Sequence, residues 1–195
     1  MNNMRIGATA GIVAPIIAFS CILLAITSYA PFSWTHNALS DLGVVWGRTS
    51  LIFNGGVIAA GISGLIFAVL GLYRFVGQSQ VGKLGSAVFG AAMIALTCIG
   101  IFNESFVPIH YFVSVTFFVL APIALFILTT SFAHKNQWDL AIFTVGIAVA
   151  AALPWIFQFA INYVPKVAIP EAVSALVVSI WAIVLATKML GVKTA

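Results

Sequence analysis

Long apolar runs alternate with short polar breaks along this chain, and inside the runs the apolar positions are continuous and do not skip every second residue. Six runs stand out: Ile6–Tyr29, Ser50–Tyr73, Leu84–Asn103, His110–Phe132, Asp139–Asn162 and Glu171–Leu190. Each holds about 20 to 24 residues, which at about 1.5 Å per residue crosses a hydrocarbon core about 30 Å thick. A helix supplies its own backbone hydrogen bonds, as lipid requires, whereas barrel strands would show alternation. The pattern predicts an all-α fold: a polytopic six-helix transmembrane bundle forming a single domain over residues 1–195. No linker or low-complexity stretch divides it.

The first run invites a second reading as a signal peptide, since Arg5 precedes it and Ser28-Tyr29-Ala30 looks like a cleavage site. Its apolar stretch is too long for a secretory core of about 7–15 residues. Gly7 and Gly11 form a G-x-x-x-G pair that suits helix packing, so the run is kept as a helix. Further small-residue ridges are expected at Gly56, Ala60, Gly64 and Ala68 on the second helix and at Ala87, Ala91 and Ala95 on the third. Internal packing can consume them, so they do not argue for a dimer.

Connections between the runs are short on one side, at Arg74–Lys83 and Ala133–Trp138, which makes sequence neighbours antiparallel and gives three hairpins. Arg5, Arg74, Lys83, Lys135, Lys188 and Lys193 fall on that side, against Arg48 and Lys166 on the other. Six basic residues against two place both termini in the cytoplasm of a multi-pass protein of the cell membrane.

Composition agrees. Hydrophobic residues make up 63% and charged residues 6%, where an ordinary soluble chain carries about a quarter. The net charge of +4 is scattered singly and forms no patch, so membrane lipids are expected partners and nucleic acid is not. Cys21 and Cys98 lie inside apolar runs without ligand-type spacing and read as small core residues.

The informative residues gather at the end opposite the basic side. Asp41, Glu104 and Glu171 lie in or beside alternate connections, one per hairpin, each with a nearby proline. Their even spacing hints at a threefold duplication. His36, Asn37, Ser40 and Asp41 crowd the longest connection, Ala30–Thr49, between Trp34 and Trp46 at the interface. Asn54, Asn103, His110, Ser114, Gln158 and Asn162 belong to the same half, whereas the other half carries only scattered hydroxyls such as Ser63, Thr129 and Thr144. Polar groups at membrane depth are costly without partners or a wet cavity. An outward-opening polar pocket is expected, with Asp41 held by polar residues of the second, third or fourth helix, Asn54 and His110 the favoured partners. The competing reading is local: Asn37 or Ser40 caps a short interfacial helix and Gly43 ends a turn.

The stretch Asn37-Ala38-Leu39-Ser40-Asp41-Leu42-Gly43, followed by Phe53-Asn54-Gly55, resembles domain-of-unknown-function family 998, a family of prokaryotic multi-helix membrane proteins. The Glu104 and His110 turn is similar to it as well. More distantly, the S-D-x-G loop is similar to DRAM/Sfk-type membrane proteins. The resemblance implies a fold and marks Asn37, Ser40, Asp41, Asn54, Glu104 and His110, but it implies no reaction.

Three function classes follow. The first is a protein whose outer pocket, lined by His36, Asn37, Asn54, Ser114, Gln158, Asn162 and Glu171, binds a lipid headgroup, a small amphiphile or a partner. The second is an intramembrane hydrolase of lipid-like substrates, with Ser40 as nucleophile, His110 as general base and Asp41 or Glu104 orienting the imidazole. A metal version would place His36, His110 and two of the carboxylates around Zn²⁺. Neither a G-x-S-x-G elbow nor an H-E-x-x-H helix accompanies them. The third, a small transporter, needs a polar path through the inner half, which the sequence does not supply.

Overall fold

The structure is a computed structural model that describes residues 3–191. Among the described residues there are six helices long and apolar enough to cross a membrane: α1 Asn3–Thr27, α2 Arg48–Phe75, α3 Gln80–Ile101, α4 Ile109–His134, α5 Trp138–Ile161 and α6 Ala168–Gly191. Their ends fall within four residues of the apolar runs, and local chemistry sets them. The Ser79 hydroxyl accepts from the Gly82 N–H at 3.1 Å and caps α3, starting it four residues before the apolar run. Asn162 takes a left-handed conformation and stops α5.

Each helix packs on its neighbours in sequence, and α6 returns to α1 to close a ring. Close backbone approach holds the ring together. A Cβ on Gly7 would lie 2.1 Å from the Gly71 nitrogen, and one on Gly11 would meet the Phe67 ring at 2.5 Å. The G-x-x-x-G pair of α1 therefore packs on α2 where that helix widens into a π-helical turn, Phe67–Leu72. Gly56 faces Cys21 of α1, while Gly61 and Gly64 face Thr97 and Met93 of α3. The ridge expected on the third helix is placed differently. Ala87 and Ala91 are exposed, and the close approach to α4 runs through Gly82 and Gly85, which meet Ser131 and Leu128. Glycine lets the backbones come nearer than alanine does, and so it selects the face.

The inner half is filled by packed side chains. Phe67, Phe89 and Trp181 form an aromatic plug with centroids 5.3 to 6.1 Å apart. Trp181 is fully buried, and its indole N–H donates to the Thr144 hydroxyl at 3.1 Å. Below it the connections lock together: the Ser79 and Ser131 hydroxyls are 2.8 Å apart, and the Lys135 ammonium donates to the Val76 carbonyl.

Candidate functional site

The long connection between α1 and α2 folds over the outer end of the ring. Asn37 organises it, with its Oδ1 accepting from the Ser33 N–H at 2.9 Å and its Nδ2 donating to Asp41 at 2.7 Å. The Ala38 N–H donates to the same Asp41 oxygen at 3.0 Å, and Ser40–Gly43 forms a 3-10 turn with Leu42 fully buried beneath it. Asn54 of α2 donates to the Gly43 carbonyl at 2.9 Å. Any side chain at position 43 would strike Asn54, since a Cβ there would lie 2.6 Å from its Oδ1. Neither favoured partner, Asn54 nor His110, holds Asp41: it is bound by its own loop and stands within side-chain hydrogen-bonding reach of Glu104 just past α3, and Asn54 takes the backbone carbonyl two residues on. Short Asx side chains reach their own backbone more readily than a neighbouring helix.

The loop is fastened to α6 as well. The Ala168 N–H donates to the Asn37 carbonyl at 3.0 Å and the Lys166 N–H to that of Thr35 at 3.2 Å. The Glu171 carboxylate accepts from the Leu39 N–H at 2.6 Å, with both residues buried. Glu171 therefore sits at the centre of the site, where it pins Ala38-Leu39-Ser40 above the middle of the ring.

Beside it stand Ser40, Glu104 and His110. The Ser40 hydroxyl donates to Glu104 Oε1 at 2.7 Å, and that oxygen is 4.0 Å from His110 Nε2. Nδ1 of His110 lies 2.7 Å from the Phe102 carbonyl, which can only accept, so Nδ1 carries the hydrogen. In the neutral ring Nε2 then keeps its lone pair, and the Ser114 hydroxyl is 3.4 Å from it. Burial lifts the Glu104 carboxyl above the usual carboxylate range. The Ser40 hydroxyl and His110 oppose the rise, while the Asp41 carboxyl, within side-chain hydrogen-bonding reach, adds to it.

Two adjacent hollows meet at these residues. A cavity of about 120 Å³ lies inside the ring, floored by Phe67 and Phe89, with Ser40, Ser114, Ser179 and Glu171 its polar lining. A cleft of about 530 Å³ lies beside it between α4 and α5. Ser40, Ser114, Phe118 and Glu171 line both hollows. The cleft opens on the flank of the bundle, where Tyr111 and Phe159 are 61% and 78% exposed. Its walls are apolar and aromatic, and polar groups occur only along its rim, so the expected polar pocket is in fact an apolar cleft with a polar edge.

Of the residues singled out from sequence, Ser40, Glu104, His110, Ser114 and Glu171 come together on the cleft, with Asp41 behind Glu104. His36, Asn37, Asn54, Gln158 and Asn162 line neither hollow. His36 is exposed and bonded to Thr35 at 2.8 Å. Gln158 donates to Asn162 and to the Val164 carbonyl, both at 2.8 Å, and braces the end of α5. Among the described residues no three His, Cys, Asp or Glu side chains are grouped to hold a metal ion, so the Zn²⁺ arrangement through His36 and His110 is not formed. Sequence reasoning missed the aromatic wall, in which Phe118 and Trp155 are 4.6 Å apart and Trp155 stacks on Phe159. The Trp155/Phe159 pair at i, i+4 beside polar positions was its available signal.

No curated protein and no solved structure matches this chain. A family model described as "Protein of unknown function (DUF998)" matches residues 12–188, nearly the whole bundle and every residue of the cleft. The chain belongs to that family.

Proposed function

We propose that this protein binds an amphiphile taken sideways from the membrane, with the apolar chain in the hollow of the ring and the head at Ser40, Glu104, His110 and Glu171. It would do so in the cell membrane, with the basic end of the bundle and both termini cytoplasmic. The observation that carries the reading is the pair of adjacent hollows sharing Ser40, Ser114, Phe118 and Glu171 as a common wall, apolar inside, polar at one rim, and open on the flank between α4 and α5. A volume of about 530 Å³ is within the range of small-molecule sites, about 300–1,000 Å³. A flank opening suits a ligand that arrives from lipid. The aromatic plug beneath argues for binding over passage, since transport would require Trp181, Phe67 and Phe89 to part. Native mass spectrometry of the purified chain tests it. One amphiphile should remain at unit stoichiometry, and Ala175→Phe, which puts a ring into the hollow, should remove it from a folded protein. Retention of the same amphiphile by Ala175→Phe would count against the reading.

One observation favours a hydrolytic reading of the same site. Ser114 and His110 Nε2 are one turn apart on α4, with the imidazole oriented by the Phe102 carbonyl. The nucleophile would then be Ser114, because the Ser40 proton is directed to Glu104. Ser114 Oγ would attack an ester carbonyl while Nε2 takes its proton and passes it to the leaving alcohol, and water would release the acid. Turnover of a long-chain ester, lost in Ser114→Ala and kept in Ser40→Ala, would select this reading.

A further inference from the structure

We propose that the head group this cleft selects is a protonated amine, an inference that rests on the amphiphile-binding reading above. The rim is acidic and uncompensated. Glu104 and Glu171 line the cleft, Asp41 stands against Glu104, and no Lys or Arg lines either hollow among the described residues. The one ion pair among the described residues is the 4.0 Å contact of Glu104 with His110. Arg48 and Lys166, the basic residues at this end, are exposed and lie outside both hollows. A buried carboxylate without a cation is expensive, and a cation brought by the ligand would supply the missing charge. An anionic head would add repulsion instead.

Glu171 makes the case specific. It is 7% exposed and lines both hollows, yet only its Oε2 is engaged, by the Leu39 N–H. Its Oε1 has no hydrogen-bond partner among the described residues, and it is not among the buried atoms left without one, so it keeps some open surface. An oxygen so placed is open to a donor entering the cleft, and a positively charged N–H makes the stronger bond. The aromatic lining adds a second preference that does not depend on the acids. Tyr111, Phe118, Trp155 and Phe159 line the same cleft, and aromatic faces attract ammonium groups within about 6 Å. Acidic oxygens and aromatic rings lining one cleft suit an alkylammonium head. The chain behind it would follow Phe118 into the ring.

The test uses the full chain in neutral maltoside micelles at neutral pH, where an alkyl amine, with a pKa near that of lysine at about 10.4, is charged. Dodecylamine, dodecanol and dodecyl phosphate, which share one chain, are compared by their protection against thermal unfolding and by displacement of one another. Dodecylamine should bind at least about tenfold more tightly than the other two, the scale of one charge-assisted hydrogen bond. Glu171→Gln still offers the Leu39 N–H an amide oxygen, so it should fold, lose about tenfold in affinity for the amine and keep its affinity for dodecanol. Should Glu171→Gln fail to fold, Glu104→Gln is judged by the same criterion. Equal binding of dodecanol or dodecyl phosphate, or unchanged amine affinity in the Gln variant, overturns the head-group assignment while the amphiphile reading stands. Protection by butylamine as strong as by dodecylamine keeps the charge and overturns the amphiphile. No binding by any of the three chains removes both.

Discussion

Replacing Glu171 separates what holds the loop from what binds in the cleft. The Leu39 N–H is buried, with Leu39 6% exposed, and its acceptor is the Glu171 carboxylate at 2.6 Å. Glu171→Ala removes that acceptor and leaves the donor in an apolar setting, at a cost of about 1–3 kcal/mol. The vacated volume beside Leu39 adds to the loss. In a chain of this size each kcal/mol moves the melting temperature by about 2–4 °C, so a loss of about 2 kcal/mol lowers it by about 4–8 °C. Glu171→Gln behaves differently. It keeps an oxygen for Leu39 and nearly the same volume, so its melting temperature should equal that of the parent. Differential scanning fluorimetry in one detergent compares the three proteins. Equal melting temperatures for the Ala and Gln variants would refute the reasoning, because the tether would then not be what seats Ala38-Leu39-Ser40 over the ring.

Four further outcomes follow. Gly43→Ala should displace Asn54, break its 2.9 Å bond to the Gly43 carbonyl and cost about 1–3 kcal/mol in thermal unfolding. Gly146→Ala, whose Cβ meets nothing within 4 Å, should be neutral or mildly stabilising in the same assay. Glu104 has a folded-state pKa raised above its free value of 4.5, so the folded chain holds that proton more tightly. Its contribution is therefore most favourable below pH 4.5 and is lost as pH rises through the folded value; Glu104→Gln should flatten this part of a melting curve followed from about pH 4 to about pH 8, and an unchanged slope would contradict the assignment. With Cys21 and Cys98 replaced, a cysteine at exposed position 36 should react with an impermeant maleimide in intact cells, and one at exposed position 78 only after permeabilisation. The reverse pattern would invert the bundle.

The six helices were legible because spanning length and continuous apolarity are local properties, and the structure moves their ends by at most four residues. Packing faces were harder to read. On α1 the G-x-x-x-G pair marked its contact correctly, but on α3 Ala87 and Ala91 of the alanine ridge point outward, with Ala95 buried, while Gly82 and Gly85 make the approach to α4. Spacings of three and of four both run along one helix face, and only the neighbour's position decides between them. In the site, Ser40, Glu104, His110, Ser114 and Glu171 were legible as polar residues at one end of apolar runs, where burial must be justified by partners or a cavity. The error was to expect every such residue in the cavity. Gln158 with Val164, Asn37 with Ser33, and Asn54 with Gly43 instead satisfy backbone groups close by in the chain or on the adjoining connection. A sequence lists donors and acceptors without saying which backbone groups a fold leaves open. The cleft itself depends on how far α4 and α5 diverge at their outer ends, and no single residue encodes that.

The central claim is that an amphiphile's chain enters the ring. An alkylamine carrying a diazirine at the far end of its chain tests it directly, by irradiation of the membrane-embedded protein and peptide mapping of the adducts. The account predicts labels on the residues that floor and line the hollow, Phe67, Phe89 and Val178, competed away by unlabelled dodecylamine. Labels confined to outward side chains such as Ile16, Leu51 and Ile94, unaffected by competitor, would contradict it.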